Sequence, residues 1–152
     1  MRKRTGVLLT QLGTPKAPNV ASVRPYLREF LSDPRVIDIP VLLRLMLVNF
    51  IIVPFRAPKS TKIYKELWVE GGGASPLMTH TQALAGLLNE QLNTDEIFVH
   101  MAMRYQEPSI DKVLEEMRRE NYDRIIILPL FPHYASSSSG SAIQKAMEII
   151  SQ

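Results

Sequence analysis

Three stretches of the chain carry apolar residues almost without interruption, and most of the segments between them carry such residues at helical spacing. The runs are Gly-Val-Leu-Leu-Thr-Gln-Leu at 6–12, Ile-Phe-Val-His-Met-Ala-Met at 97–103 and Ile-Ile-Ile-Leu at 125–128. Runs this short, rich in aliphatic and β-branched residues, predict strands covered on both faces, as in a parallel sheet. Val23, Tyr26, Leu27, Phe30 and Leu31 predict a first helix, with Ser22 as its N-cap, Pro25 in its first turn and Asp33-Pro34 as its end. Ile63, Tyr64, Leu67 and Trp68 predict a helix that breaks at Gly71-Gly72-Gly73-Ala74-Ser75-Pro76. Thr79 with Gln82 reads as a capping box ahead of Leu84, Leu87, Leu88 and Leu92, and Asn93-Thr94 as the stop. Ser109 caps a helix with Ile110, Val113, Leu114 and Met117 on its inner face and mostly charged residues outside. Ile143, Ala146, Met147 and Ile150 mark a last helix. The order β, several helices, β, α, β, α predicts an α/β fold. It is a parallel sheet flanked by helices, one Rossmann-like lobe with right-handed crossovers.

Residues 41–53 are the most membrane-like stretch. They are rich in Leu, Met, Ile and Val, yet include Arg44 and Asn49 and lie between Pro40 and Pro54. Read as bounded by those prolines, the stretch is too short to span a bilayer. Arg44, Arg56, Lys59 and Lys62 lie in or just after it, a pattern that suits the surface of an anionic membrane. Taken alone, the stretch reads more simply as a buried helix.

Composition narrows the picture in a few ways. The 152 residues suffice for one domain with a real core, and 45% hydrophobic with 22% charged residues is ordinary for a soluble protein. The absence of cysteine excludes disulfides, thiolate metal ligands and a cysteine nucleophile, and fits a cytoplasmic location. A net charge of +3 is too mild to imply nucleic acid, and base-reading motifs are absent, so no nucleic-acid partner is expected. The apolar run after the basic N-terminus is too short for a signal peptide.

The polar residues that carry chemistry fall just past the strand ends. Thr14 follows the first strand, Arg104 and Tyr105 the second, and His133 with serines 136–139 the third. Ligands bind at that edge of open parallel sheets. The serines and Gly140 open a helix, where free N–H groups and hydroxyls would seat an anionic group. His100, alone in an apolar strand, reads as a satisfied core residue.

Seven blocks of residues then add up to a family resemblance. Leu12-Gly13-Thr14-Pro15, Arg24-Pro25-Tyr26-Leu27, Phe30-Leu31-Ser32-Asp33-Pro34-Arg35-Val36, Gly73-Ala74-Ser75-Pro76-Leu77, Met103-Arg104-Tyr105 and Leu128-Pro129-Leu130-Phe131-Pro132 stand in ferrochelatase order. Ser137-Ser138-Ser139-Gly140-Ser141 resembles that family's Ser-Thr-Thr-Gly-Ser signature. The resemblance covers the whole chain. It implies one chelatase-like lobe, with residues 1–152 as the N-terminal lobe of a ferrochelatase-like protein and the second lobe outside this chain. It implies the insertion of ferrous iron into a porphyrin, a lyase step of haem biosynthesis, with iron as substrate and no covalently bound cofactor. By resemblance, Leu12 lies on the metal-entry side of the macrocycle, and Arg56, Lys59, Trp68 and Ser75 lie where porphyrin propionates are held. Arg104 and Tyr105 match a pair that lines the pocket, and Thr14, Phe131, Ser137, Ser138 and Ser139 complete the expected porphyrin-binding set. Residues 41–53 look like the cleft lip, a peripheral contact with the inner membrane face. His133 stands where the family usually has Gln, Phe131 where it often has Tyr, Gln106 where Gly is common, and Ser138 and Ser139 where two Thr are usual.

The family's metal-facing His and its partner Glu lie in the second lobe, so no catalytic residue is assigned here beyond His133 as a candidate, which is also the candidate metal ligand. Two alternatives stay open at this point. One is a half-size homodimeric tetrapyrrole chelatase, in which two copies form one cleft and His133 matters. The other is a non-catalytic porphyrin or haem carrier, with His133 as axial ligand.

Overall fold

The computed structural model describes residues 3–92 and 96–151, so the stop expected at Asn93-Thr94 lies outside the described residues. Strands β1 (Thr5–Gly13), β2 (Ile97–Tyr105) and β3 (Arg124–Pro129) form a three-stranded, fully parallel sheet in the order β2-β1-β3. The apolar runs predicted all three, each extended by one or two residues. Helices α1 (Val20–Leu31), α4 (Pro76–Leu92), α5 (Ile110–Arg119) and α6 (Ser141–Ile150) surround it, and a long helical stretch occupies Val41–Glu70.

Strand alternation divides the core. Leu8 lies beside His100 on one side and Ile127 on the other. Leu8, Ala102, Ile125 and Ile127 pack with Ile110, Val113, Leu114 and Met117 of α5 and with Ala142 and Ala146 of α6. On the opposite face, Leu9 and Val99 meet Ala85 and Leu88 of α4. There α4 packs mainly on β1 and β2, and Ile126 and Leu128 of β3 remain 40% and 46% exposed. The expectation of strands covered on both faces is therefore corrected for β3. His100 is satisfied, as its sequence context suggested. Its Nε2 lies 2.8 Å from the Tyr122 hydroxyl, which donates to Glu120, and burial holds the imidazole below its ordinary pKa.

Two helix starts differ from expectation. Asn19, not Ser22, caps α1: its side-chain oxygen accepts from the Ser22 N–H at 2.9 Å. Helix α4 begins at Pro76, before Thr79, whose N–H bonds to the Ser75 carbonyl. Proline suits a first helical position because the N–H it lacks would have no partner there.

The larger correction concerns residues 41–70. Helix α2 (Val41–Met46) passes through a π-helical segment, Leu47–Ile52, directly into α3 (Val53–Glu70), and neither Pro54 nor Pro58 ends it. The buried positions explain the π segment. Arg44, Val48, Val53, Ala57 and Thr61 are spaced four, five, four and four apart. One extra residue per wider turn keeps the buried stripe continuous: Arg44 donates to the Ile37 and Ile39 carbonyls, and the next three positions face α1. Val48, Val53 and Ala57 join Val23, Tyr26, Leu27 and Leu31 of α1 and Tyr105 of β2 in one cluster. The opposite face is exposed: Leu42 is 71%, Phe50 74% and Phe55 73% accessible. The stretch is thus not the buried helix that its composition favours. Its 30 residues, with a window of mean hydropathy 1.7, are long and apolar enough to cross a membrane by length and composition.

Candidate functional site

The site begins where β1 ends. Gly13 has φ +112°, and a Cβ placed there would lie 2.0 Å from the Tyr105 carbonyl oxygen. Only glycine lets the two strand ends approach this closely while turning the chain toward Thr14. The Ser75 hydroxyl, delivered by the Gly71–Gly73 break, donates to Thr14 Oγ1 at 2.9 Å, and both residues are buried. Around this pair lies a pocket of about 470 Å³ that also takes in Trp68, Met78, Lys16, Gln106 and Glu107. Its volume falls in the range of small-molecule sites.

Trp68 is held by an aromatic chain that leads back into the protein. It meets Tyr64 edge-on at 6.0 Å, Tyr64 meets Tyr26, Tyr26 stacks on Phe30, and Phe30 meets Tyr105 at 5.2 Å. Burial drives the Tyr26, Tyr64 and Tyr105 phenols above their ordinary values, so all three stay neutral.

The loop after β2 forms the other wall. Gln106 adopts φ +68°, the left-handed region where glycine fits at no steric cost. Here the side chain is retained because Glu29 accepts from both the Gln106 backbone N–H and its amide. Glu107 is paired with Lys112 at 2.5 Å, and that contact lowers its pKa.

Arg104 and Tyr105 turn away from this pocket. Tyr105 is fully buried, and its hydroxyl donates to Asp33 at 2.8 Å. Arg104 reaches the same carboxylate oxygen at 2.8 Å and the Ser141 hydroxyl at 2.7 Å. Ser141 Oγ donates to Asp33 at 2.5 Å, and the Arg35 N–H to the other carboxylate oxygen at 2.7 Å. Burial pushes the Asp33 carboxyl up, but the hydrogen bonds from Ser141, Arg35 and Tyr105 and the Arg104 charge outweigh it. The net effect holds Asp33 below the usual carboxylate value. An anionic group does sit at the start of α6, and it is the protein's own Asp33.

Thr14, Trp68 and Ser75 are therefore the expected residues that the structure brings together. Leu12 is half-buried against the α1–α3 cluster. Arg56 and Lys59 are exposed on α3, close enough for the Arg56 charge to lower the Tyr64 pKa in part. Phe131 is half-buried. Ser137 and Ser138 are half-buried and Ser139 buried in a π-helical turn, Ser136–Gly140, pinned by Arg35 through Ser136. His133 is exposed, and among the described residues it has no hydrogen-bond or ion-pair partner. No group of three or more His, Asp or Glu side chains that could hold a metal ion occurs among the described residues. Residue spacing missed Asp33, Lys16 and Glu29. Asp33 carried one signal, an acid directly beside a helix end and two residues from Arg35.

Comparison with known proteins gives a consistent result. The family model described as Ferrochelatase matches residues 4–152. A ferrochelatase of Chromobacterium violaceum is 45% identical over 152 residues, 98% of this chain and 41% of that protein. Ferrochelatase 2 of Shewanella oneidensis is 42% identical over 153 residues, 99% of this chain and 46% of its own length. A Coxiella burnetii ferrochelatase is 43% identical over 142 residues, 93% of this chain and 39% of its own. The chain spans less than half the length of these curated relatives.

Proposed function

Given that the chain belongs to the ferrochelatase family, we propose that it supplies the porphyrin-binding N-terminal half of an enzyme that inserts ferrous iron into a porphyrin in haem biosynthesis. The observation that supports this best is the pocket at the sheet's carboxyl edge, where Thr14, Trp68 and Ser75 meet. A porphyrin is a flat apolar disc with carboxylates along one edge. It needs an apolar wall and a few fixed donors. Trp68 and Met78 offer the wall, the Thr14–Ser75 pair the hydroxyls, and Arg56 and Lys59 further positive charge nearby on α3.

Iron insertion removes two pyrrole protons and strips water from the metal. Glu107 is a poor proton acceptor, since Lys112 holds it ionised at low proton affinity. In this reading the proton acceptor and the metal-side groups come from a second lobe facing the pocket, and porphyrin, ferrous iron and that lobe are the partners. The exposed apolar face of the 41–53 stretch rests on the cytoplasmic side of a membrane, where a poorly soluble porphyrin is found. Basic residues at its end, Arg56, Lys59 and Lys62, suit anionic lipid.

Trp68 is the chain's single tryptophan, so its fluorescence reports on the pocket without labelling. Titration of the purified chain with protoporphyrin should give saturable quenching that Ser75→Ala weakens, and zinc or ferrous iron insertion should follow once a second lobe is supplied. Absence of saturable quenching would refute the reading.

A further inference from the structure

We infer that Lys16 is a specificity-determining residue of this pocket, an ammonium that selects ligands with an ionised carboxylate at the edge of an apolar body. The inference rests on the porphyrin reading above and names a feature of that site which the family resemblance did not supply. Three observations carry it.

The first is charge. Two ionisable side chains line the pocket, Lys16 and Glu107. Glu107 stays ionised and is paired with Lys112 at 2.5 Å. Lys16 is exposed and has no acidic or hydrogen-bonding partner among the described residues. The pocket therefore presents one positive charge without a partner, while the single carboxylate in its lining already has its own cation.

The second is a spare proton. In the Thr14–Ser75 pair one hydroxyl donates to the other at 2.9 Å, which uses one of two O–H groups. The second O–H has no acceptor within the pair. Both residues line the pocket, so this proton is available to a ligand oxygen. A carboxylate has two oxygens and is the group that would take both the ammonium and the hydroxyl.

The third is the rest of the lining. Pro15, Trp68, Ala74 and Met78 are apolar, and Gln106 is occupied by Glu29. Polar recognition is thus confined to the Lys16 and Thr14–Ser75 side, which fixes one edge of the ligand and leaves its body against Trp68.

The test uses Trp68 quenching by protoporphyrin, by coproporphyrin with its larger number of carboxylates, and by the uncharged protoporphyrin dimethyl ester. Lys16 is exposed, so its replacement leaves the fold intact. Lys16→Glu should weaken protoporphyrin about ten-fold at low salt and coproporphyrin at least as much, with the loss shrinking as salt is raised. The dimethyl ester should bind both proteins equally, and Lys16→Arg should restore the acid porphyrins to within about two-fold. Equal binding of protoporphyrin by the parent chain and Lys16→Glu overturns the inference while leaving porphyrin binding in place. An equal loss for the ester also overturns it, since charge would not be the cause. A parent chain that binds none of the three overturns this inference together with the reading it rests on.

Discussion

Replacing Asp33 with alanine tests the arrangement at the carboxyl edge of the sheet most directly. The carboxylate accepts from the Tyr105 and Ser141 hydroxyls, from the Arg104 guanidinium and from the Arg35 N–H. Three of these donors are side chains, and Tyr105 and Ser141 are 0% and 1% exposed. Removing one partner of a buried ion pair costs about 3–5 kcal/mol, because the other charge and its neighbours stay desolvated. Arg104 keeps 17% exposure and its bond to Ser141, which places the expected loss near the middle of that range, about 4 kcal/mol. For a chain of this size that corresponds to a fall in Tm of about 10 °C. Asp33→Asn keeps an acceptor but no charge and should lose about half as much. Tyr105→Phe removes one donor and should cost about 1 kcal/mol in the parent chain and much less in the Asp33→Ala background.

The same carboxylate predicts a pH signature. Its folded pKa lies below the unfolded value, so its stabilisation is complete above the unfolded value of about 3.9 and is lost as pH falls through the folded pKa. Urea unfolding of the parent chain and Asp33→Asn should therefore differ by a constant amount from about pH 5 to 8 and converge below about pH 4. An Asp33→Ala loss under about 1 kcal/mol, additive costs in the double mutant, or convergence near pH 7 would refute the account.

Gly13→Ala should destabilise by about 3 kcal/mol or abolish folding, since it combines φ +112° with a Cβ only 2.0 Å from the Tyr105 carbonyl; a shift in urea midpoint checks it. Phe50→Glu combined with Phe55→Glu should leave far-ultraviolet circular dichroism unchanged, because both side chains are over 70% exposed, and should reduce co-sedimentation with anionic vesicles about ten-fold. His133→Ala should change stability by less than about 0.5 kcal/mol and leave porphyrin quenching of Trp68 intact. Loss of porphyrin binding in that variant would instead support axial ligation by this residue.

The sheet was legible because buried parallel strands leave a blunt trace: short apolar runs with no alternation. Their relative order was not, since nothing in the runs themselves says that β1 lies between β2 and β3. Nor do they say that α4 packs mainly on β1 and β2. Ile126 and Leu128 look identical in sequence to Ile125 and Ile127, yet only the latter pair reaches the core. Helix starts were read to within four residues. Asn19 and Ser22 belong to one capping motif, in which the first accepts and the second donates. At α4 two start signals compete, the capping-box pair at Thr79 and Gln82 and Pro76 at the end of the glycine break, and the proline prevails.

The site divides along a similar line. Thr14 was marked by its place just past a strand end, whereas Trp68 and Ser75 entered only through the family resemblance, and the structure places all three around one pocket. Asp33 was hidden, since an acid beside a proline is read as punctuation, and its side-chain partners lie about 70 to 110 positions away in sequence. Residues 41–70 show why apolar composition alone misleads. There the buried positions are Arg44, Val48, Val53, Ala57 and Thr61, the middle three against α1, while Leu42, Phe50 and Phe55 are exposed. The smaller and more polar side chains are inside, where α1 packs close, and the bulky ones are outside. Periodicity that ranks residues by hydrophobicity assigns the stripe to the wrong face. A continuous surface of that kind is uncommon on a chain with no partner. The inverted stripe is thus the observation behind the proposed lipid contact, and vesicle co-sedimentation of the Phe50→Glu, Phe55→Glu variant is what decides it.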